Sequence, residues 1–546
     1  MARYKVEISG QTAIPEQPFF PLRGERRVAV VLALVLIVGA ALYFTPRLAA
    51  QAPTFLPSGQ EVNTVNPTAN LVFRSGQTRS GIECGPGVRQ VSWSKYAPWC
   101  EPTYTGNNGG ATSNGVTATT ITITYREAAT ADLSLAYSLI PPSIIGTNQE
   151  AIDTLQAYIN VFNKNYELYG RKVVLVPYQG TSDFIKEDLG EGFQQSKADA
   201  LNVSSTIHAF ADVSLIDSTS VYGGYLAAQH VVSFDMGFEP NSFYTQNYPY
   251  IYTPYPSCDT TAEGDSAVIG KAIANLPAIY AGDPAMQHES GKIGIVYPAG
   301  SSTEECAQNM QNILKTKYGV TPALVKSFTL DFSIIGQETS SLVAQMQQSG
   351  VTTVVCAACD PVSPKLILAA CAQNHYFPSF FAEAVGADTG GVDAFGRGMN
   401  QQEMDHTILI GRQAEPKADT EAWQVLQKGI TPATQVEPLY SLVYAPLVML
   451  FGALQAAGPD LNPETFAEGM ANLPPSEPGG EFGLFKYGPG VFSPASTFQI
   501  DYWSPNTVSQ NDGQMGAFVA CNNAQEYSYD GAPTLPKGQQ LHCFGK

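Results

Sequence analysis

The chain has 546 residues, enough for more than one domain with a sizeable core. Only 14% of the residues are charged, and 48 acidic side chains against 29 Lys and Arg give a formal net charge of -19. Such a surface repels nucleic-acid phosphates, and Lys and Arg form no cluster to offset it, so we expect no nucleic-acid partner.

The first hydrophobic element is the uncharged run Val28–Phe44, which follows three arginines. It is short for a membrane-spanning helix and long for the core of a signal peptide. Because positive charge is retained on the cytoplasmic side, residues 1–27 are predicted to be a cytoplasmic tail and the rest to be exported. We expect an uncleaved signal anchor at 28–44, and cleavage at Ala50–Ala52 with secretion is the alternative.

Residues 45–115 are rich in Pro, Gly, Ser, Thr and Asn, which predicts an extended tether. Cys84 and Cys100 enclose a Pro/Gly loop in this segment, and Cys521 and Cys543 enclose the C-terminal tail. Nine cysteines are typical of an oxidising compartment. Both pairs are therefore predicted to be disulfides that fix segments with little core of their own.

From "ATTITITY" (118–125) onward, short β-rich runs alternate with helical patterns, which indicates βαβ units and parallel sheets. Thr147 and Glu150 predict a capping box at the start of one helix. The stretch "GKIGIVYPAGSS" (291–302) begins a second series, in which Ser302 and Glu305 predict another capping box. The order of elements predicts two consecutive α/β lobes.

The sequence shows no catalytic constellation. Residues 291–302 match neither G-x-x-x-x-G-K-[ST] nor G-x-G-x-x-G, so a nucleotide site is not expected there. The six histidines form no i, i+4 metal pair, and a G-x-S-x-G motif is absent. We expect neither an enzyme nor a bound metal or cofactor.

"CAAC" (Cys356–Cys359) has the spacing of a redox motif. It follows a strand in a fold much larger than thioredoxin, which favours a structural disulfide or two buried thiols. Cys371 lies too far along a regular helix to reach Cys359, so it is predicted to be the free thiol.

Several stretches resemble the branched-chain amino-acid-binding proteins, which are type I periplasmic binding proteins. "INVFNKNYELYGRKVVLVPYQ" resembles their first helix and second strand, and "GKIGIVYPAGSSTEECAQNMQNIL" resembles the first strand and helix of their second lobe. "YSLVYAPLVMLFGALQAAG" is similar to their late helix. The similarity spans roughly residues 120–472, and it implies an α/β fold of two Rossmann-like lobes with a ligand cleft between them, here preceded by one transmembrane helix.

The resemblance implies a domain organisation in which three crossovers join the lobes. The predicted parts are a cytoplasmic tail (1–27), an anchor (28–44), a tether (45–115), lobe 1 (116–254 and about 414–486), lobe 2 (255–413 and about 487–510) and a disulfide-linked tail (511–546). It also implies that Cys258 and Cys306 lie together near the edge of the cleft and form a third disulfide.

In the family, a Ser and small residues after the lobe-1 strands hold the ligand carboxylate, and an acid of lobe 2 holds its ammonium group. Without gaps, Ser214 matches that Ser, and Glu383 lies within one position of that acid. The chain departs from the family at Asp235, which replaces a small residue, and at Ser302 and Asp360, which replace aromatic residues. The resemblance therefore implies the ligand-binding residues Ser214, Asp235, Gly237, Tyr297, Ser301, Ser302, Asp360 and Glu383.

Carboxylates beside a ligand anion would cost several kcal/mol in a desolvated cleft. Two alternatives follow for Asp235. It points away from the ligand, for example to cap a neighbouring helix N-terminus, or the ligand is not an ordinary zwitterionic amino acid. In the second case we expect a polar ligand with a cationic or multiply hydroxylated group, held by Ser214, Asp235, Asp360 and Glu383.

The resemblance implies an extracytoplasmic solute-binding protein that captures a small polar ligand, an amino acid or a related compound, for uptake by an ABC permease. The alternative is a membrane-anchored ligand sensor or scaffold that acts through a protein partner and feeds no transporter. An enzyme is less favoured because no nucleophile–base set emerges, although fold analogy alone does not fix function.

Overall fold

The computed structural model describes residues 74–545 with the exception of these positions: 130–132, 135–136, 139, 189, 215–216, 332–333, 361, 384–389 and 533. The predicted cytoplasmic tail, the predicted anchor and the first part of the predicted tether lie outside the described residues. A two-stranded antiparallel ribbon, β1 (Gly76–Gln77) and β2 (Glu83–Cys84), precedes the lobes.

Lobe 1 is built on a five-stranded parallel sheet with the strand order β4-β3-β5-β6-β7. Alternating Ile and Thr in the first strand place Ile121 and Ile123 in the core, as expected for a β-branched run. The strands are β3 (Thr120–Glu127), β4 (Lys172–Gln179), β5 (Ala211–Asp212), β6 (Val232–Phe234) and β7 (Ile251–Tyr252).

Lobe 2 is built on an eight-stranded mixed sheet in the order β14-β13-β12-β11-β10-β8-β9, with β15 also paired to β13. Strands β8 to β12 pair with one another in parallel, whereas β13, β14 and β15 pair antiparallel. The strands are β8 (Ile293–Pro298), β9 (Leu324–Phe328), β10 (Thr353–Cys356), β11 (Ser379–Glu383), β12 (Thr407–Gly411), β13 (Thr497–Val508), β14 (Met515–Ala520) and β15 (Tyr527–Ser528).

Helices connect the strands and cover the sheets. In lobe 1 they are α1 (Pro142–Ile145), α2 (Asn148–Asn165), α3 (Phe184–Asp188), α4 (Phe193–Asn202), α5 (Ser220–Ala228) and α6 (Asn241–Asn247). In lobe 2 they are α7 (Cys258–Val268), α8 (Ser301–Tyr318), α9 (Ile335–Gln348), α10 (Ser363–Gln373), α11 (Gly390–Arg397) and α12 (Gln401–Met404). The chain then returns to lobe 1 with α13 (Glu421–Gly429), α14 (Tyr440–Ala457) and α15 (Pro463–Ala471).

Helix α14 lies in the core of lobe 1. It is long and apolar enough to cross a membrane, but 83% of its most apolar window is buried inside the protein, against strands and helices of that lobe. Phe451, for example, stacks on Phe162 of α2 with 4.9 Å between ring centroids. Burial around most of its circumference explains why this helix has no polar face.

The two predicted capping boxes have different outcomes. The prediction at α2 is confirmed, since the Thr147 hydroxyl accepts from Glu150 N and the Glu150 carboxylate accepts from Thr147 N. The prediction at α8 is wrong, because the helix begins at Ser301, after Gly300, and no side chain caps it. Ser302 therefore already has helical backbone geometry, whereas an N-cap residue must be extended.

Two segments differ from the predicted outer parts. Part of the predicted tether is packed on lobe 1, with Val91, Tyr96 and Ala97 buried in its core. In the predicted tail, β14 extends the lobe-2 sheet and Tyr527 and Leu541 enter its core. Sequence composition missed both because each segment contributes a few apolar residues to a core built by distant parts of the chain.

The structure contains four disulfides, and three are the pairs that the sequence predicts: Cys84–Cys100, Cys258–Cys306 and Cys521–Cys543. The fourth joins Cys356 to Cys359, whose Cα atoms are 5.6 Å apart. Cys371 is an unpaired, buried thiol, as predicted.

Candidate functional site

A large cavity lies between the two lobes, at the carboxyl ends of the parallel strands. Lobe 1 contributes residues that follow β3, β5 and β6, and lobe 2 contributes residues that follow β8 and β10. These are the positions at which ligands bind in open α/β sheets. The cavity has a volume of about 960 Å³, which exceeds what a small amino acid fills.

Most of the cavity wall is apolar, and both lobes contribute to it. Representative side chains are Ile145, Phe184 and Met236 from lobe 1 and Phe380, Phe395 and Phe518 from lobe 2. A wall of this kind stabilises the hydrocarbon part of a ligand by removing it from water, at about 25 cal/mol per Å².

The charged groups of the wall are all acidic. Seven carboxyl groups line the cavity, whereas no Lys, Arg or His among the described residues does so: Glu191, Asp217, Asp235, Glu239, Asp331, Asp360 and Glu437. The internal positions outside the described residues carry no Lys, Arg or His in the sequence either.

Asp217 belongs to a buried charge network inside lobe 1. The fully buried Arg126 guanidinium lies 3.2 Å from Asp217 Oδ2 and 2.8 Å from Glu187 Oε1, and its carbon lies 3.8 Å from the Tyr222 ring centroid. Burial raises the pKa of Asp217 to about 7, although Arg126 opposes the shift. Arg126 is thus engaged below the wall rather than exposed to a ligand.

Asp235 lies at the end of β6 and is only 5% exposed. Its Oδ1 accepts from Gly237 N at 3.0 Å and from the Tyr244 hydroxyl at 2.8 Å. Burial raises its pKa to about 7, against the opposing effect of these hydrogen bonds. Asp235 therefore stabilises its own turn and the Tyr244 side chain, and it does not cap a helix N-terminus through these contacts.

Glu437 precedes α14 and is 3% exposed. Its Oε1 accepts from Leu439 N at 3.4 Å, and its backbone N donates to the Thr154 hydroxyl at 2.8 Å. The carboxylate lies so close to Gly146 that a Cβ there would be 2.0 Å from Oε2. Burial raises the pKa of Glu437 to about 8, and the nearby Glu150 carboxylate adds to the shift.

Glu239 lies where the two lobes approach each other. The Ser220 hydroxyl of lobe 1 and the Ser302 hydroxyl of lobe 2 are both near its carboxyl group. Burial raises the pKa of Glu239, and the two hydroxyls oppose the shift. This acid therefore has a hydroxyl group from each lobe beside it.

The structure brings some of the predicted ligand residues to the cavity and not others. Ser214, Asp235, Ser301, Ser302 and Asp360 line it, whereas Gly237 and Tyr297 do not. Gly237 has φ of 82° and forms a tight turn, in which a Cβ would be 2.5 Å from the Pro256 carbonyl. Tyr297 packs against the core of lobe 2.

The two remaining acids of the predicted set are Asp360 and Glu383. Asp360 accepts from Val362 N at 2.7 Å and from Ser363 N at 2.9 Å, so it caps the N-terminus of α10. Glu383 ends β11, but its side chain lies outside the described part of the structure.

Sequence reasoning missed Asp217, Glu239 and Glu437. No local motif marks Glu437, because only the return of the chain to lobe 1 brings it to the cleft.

Comparison with known proteins identifies the fold. Residues 146–504 match the family model described as "Periplasmic binding protein". No curated protein sequence is significantly similar to the chain.

Solved structures share the fold at low sequence identity. A fatty acid ABC transporter substrate-binding protein from Thermomonospora curvata is 13% identical, with a TM-score of 0.52, over 80% of this chain and 100% of its own. A substrate-binding protein from Aeropyrum pernix is 13% identical, with a TM-score of 0.51, over 74% and 97%. The leucine-, isoleucine-, valine-, threonine- and alanine-binding protein from Brucella ovis is 12% identical, with a TM-score of 0.51, over 77% and 99%.

The family match covers more than half of the chain, and it agrees with the parallel sheet of lobe 1, the mainly parallel strands of lobe 2 and the cleft between them. The resemblance seen in the sequence is confirmed. The chain belongs to the periplasmic binding protein family.

Proposed function

We propose that this protein is an extracytoplasmic solute receptor that captures its ligand between the two lobes and delivers it to an ABC-type permease. The observation that carries this proposal is the cavity of about 960 Å³ at the facing carboxyl edges of the two sheets. In this proposal the protein binds its solute and does not transform it. That role agrees with the family to which the chain belongs.

The ligand that fits this wall is larger and less polar than the small polar compound that the sequence suggests. Several polar groups of the wall already have partners, since the Ser214 hydroxyl accepts from Arg126 N at 2.8 Å and Asp360 caps α10. Most of the remaining wall is apolar. Ser214, Asp235, Ser301 and Ser302 remain the proposed polar contacts from the predicted set, and Asp360 is proposed to be structural.

A thermal-shift screen tests capture. A solute present at 100 times its dissociation constant should add about 2.7 kcal/mol to the free energy of unfolding. Ala382→Trp places a large side chain in the cavity wall and should abolish the shift, whereas Ala418→Trp, at an exposed position outside the cavity, should not. A shift that survives Ala382→Trp unchanged would place binding elsewhere.

An uptake assay distinguishes transport from the sensor alternative. Cells that lack the protein should lose uptake of the solute found in the screen, and the wild-type gene should restore it. Normal uptake without the protein would contradict the transport proposal and favour a ligand-dependent protein partner.

The predicted signal anchor at 28–44 is proposed to hold the receptor at the outer face of the membrane. Protease added to intact cells should then digest the large domain and spare a tag fused to the N-terminus. A protected large domain would contradict this topology.

A further inference from the structure

The charge of the cavity wall restricts the chemistry of its ligand. An anionic ligand would enter a site with seven carboxyl groups and no basic side chain among the described residues. Desolvated like charges repel strongly, and the net charge of -19 also repels anions from the protein as a whole. A cationic group would be attracted both by the acidic wall and by the negative charge of the whole protein.

Helix N-termini could in principle offset this repulsion, because their free N–H groups bind anions. Six of them border the cavity, those of α2, α3, α5, α8, α10 and α14. At four of them one or two N–H groups already have side-chain partners: Thr147 accepts from Glu150 N in α2, Asp217 from Phe184 N in α3, Thr219 from Tyr222 N in α5, and Asp360 from Val362 N and Ser363 N in α10.

The other two helices, α8 and α14, have no side-chain cap at their N-cap residues. The Glu239 carboxyl lies beside Ser302 in the first turn of α8, and the Glu437 carboxyl accepts from Leu439 N just before α14. The protein's own carboxyl groups thus lie at or beside five of these helix N-termini, those of α2, α3, α8, α10 and α14. A ligand carboxylate therefore finds these anion-binding positions taken.

Glu437 has the surroundings of a cation-binding group. It lines the cavity, is almost fully buried, and forms no ion pair with a Lys or Arg of the described residues. The side chains near it are the Glu150 carboxylate on α2 and the hydroxyls of Tyr125 on β3 and Tyr137, which add no positive charge. The partial positive charge that it contacts is the backbone N–H of Leu439 at the start of α14, 3.4 Å away. Gly146 is the residue whose missing side chain lets the carboxylate lie at this wall.

We propose that the ligand is an amine with a bulky apolar body, and that Glu437 binds its ammonium group. This inference rests on the proposed function and names the ligand class of the same cavity. The apolar wall packs on the body of the ligand, and the ammonium group supplies the positive charge that the wall lacks. A charge-assisted hydrogen bond of this kind contributes about 10- to 100-fold in affinity.

Isothermal titration of the full-length protein with decylamine, decanoate and 1-decanol tests the proposal, because the three probes differ only in the head group. Decylamine should bind with 1:1 stoichiometry and at least about tenfold more tightly than decanol, and decanoate should not bind detectably. Decanoate binding as tight as that of decylamine would overturn the proposal.

Glu437→Gln tests the residue and keeps its shape. Affinity for decylamine should fall about 10- to 100-fold, toward that of decanol, while affinity for decanol stays the same. The matched control is Glu289→Gln, at an exposed position outside the cavity, which should bind all three probes as the wild type does. Unchanged decylamine binding in Glu437→Gln would show that Glu437 is not the contact.

Failure of this inference can be told from failure of the proposed function. In one outcome, none of the three probes binds, while another solute gives a thermal shift that Ala382→Trp abolishes. That outcome refutes the proposal of an amine ligand and leaves the proposal of capture in the cleft intact. If no solute gives such a shift, both are refuted.

Discussion

At the scale of single residues, the structure separates acids that support the wall from acids that face a ligand. Asp217 and Glu187 neutralise Arg126 inside lobe 1, and Asp360 caps a helix. The Glu437 carboxylate accepts a single weak hydrogen bond among the described residues, from Leu439 N at 3.4 Å. The sequence suggested the acidic character of the cleft through Asp235, but only the fold shows which acids remain available.

Arg126→Met should strongly destabilise the protein, because it leaves Glu187 and Asp217 buried without their cation. The free energy of unfolding should fall by about 3–5 kcal/mol, as is typical when one partner of a buried pair is removed. Arg74→Met is the matched control, since Arg74 forms a 2.9 Å ion pair with Glu101 at the surface and should lose less than about 1 kcal/mol. Urea denaturation measures both, and equal losses would contradict the role assigned to the buried network.

Affinity for decylamine should rise with pH, because the ammonium group favours the ionised form of Glu437. Burial raises the pKa of Glu437 to about 8, so a proton must leave before the amine binds at lower pH. The association constant should increase by up to about tenfold per pH unit from pH 6 to 8 and then level off.

Other acids of the wall also titrate in this range, since burial raises the pKa of Asp217 and of Asp235 to about 7. Glu150, Tyr125 and Tyr137 are the titratable groups that face Glu437 itself. The contribution of Glu437 is therefore read from the difference between the pH profiles of the wild type and of Glu437→Gln. In Glu437→Gln the increase of the decylamine association constant above pH 7 should disappear. The same profile in both proteins would contradict the assignment.

At the scale of elements, Asp360→Ala should weaken α10 rather than the binding of ligand. Removing an N-cap carboxylate should lower the free energy of unfolding by about 0.5–2 kcal/mol. Asn462→Ala is the matched control, because Asn462 caps α15 through Thr465 N at 2.9 Å and lies outside the cavity. Both variants should lose similar stability and keep the wild-type affinity for decylamine, and a large loss of affinity in Asp360→Ala alone would show that Asp360 contacts the ligand.

The segment before β3 should be essential to lobe 1. The Ser94 hydroxyl donates to Glu421 Oε1 at 2.5 Å, and Lys95 N donates to Glu421 Oε2 at 2.7 Å. Tyr96 packs on Phe485 with ring centroids 4.9 Å apart and accepts from Phe482 N at 2.8 Å. A chain that begins at residue 116 leaves Glu421 without these donors and opens the core where Tyr96 packs.

Relative to a chain that begins at residue 74, the shorter chain should lose several kcal/mol of stability or fail to fold. Thermal unfolding followed by circular dichroism makes the comparison. Melting temperatures that agree within experimental error would show that the segment is a tether after all.

How much the sequence could predict depends on how local each feature is. The alternation of strands and helices and the cap at Thr147 follow from near neighbours in the chain, and these agree with the structure. Tyr96, β14 and Glu437 were missed because their partners, at Phe485, on β13 and at Gly146, are distant in sequence. The start of α8 was misjudged because Ser302 has the right residue type but the wrong backbone position for a cap.

At the scale of the whole molecule, the two sheets place their carboxyl edges on opposite sides of one cavity. The chain crosses between the lobes after β7, after β12 and before β13. Three short connections permit the lobes to approach each other about a ligand, as in hinge-type closure. Glu239 lies beside a serine of each lobe, at the point where the two lobes meet.

The central claim is that one solute contacts both lobes at once, and amide hydrogen exchange tests it most directly. Decylamine, or a solute from the thermal-shift screen, should slow exchange at residues 217–220 in lobe 1 and at residues 300–303 in lobe 2, both of which line the cavity. The two segments should become protected with the same midpoint in one titration. Protection confined to one lobe, or absent at a concentration that saturates binding, would contradict capture between the lobes.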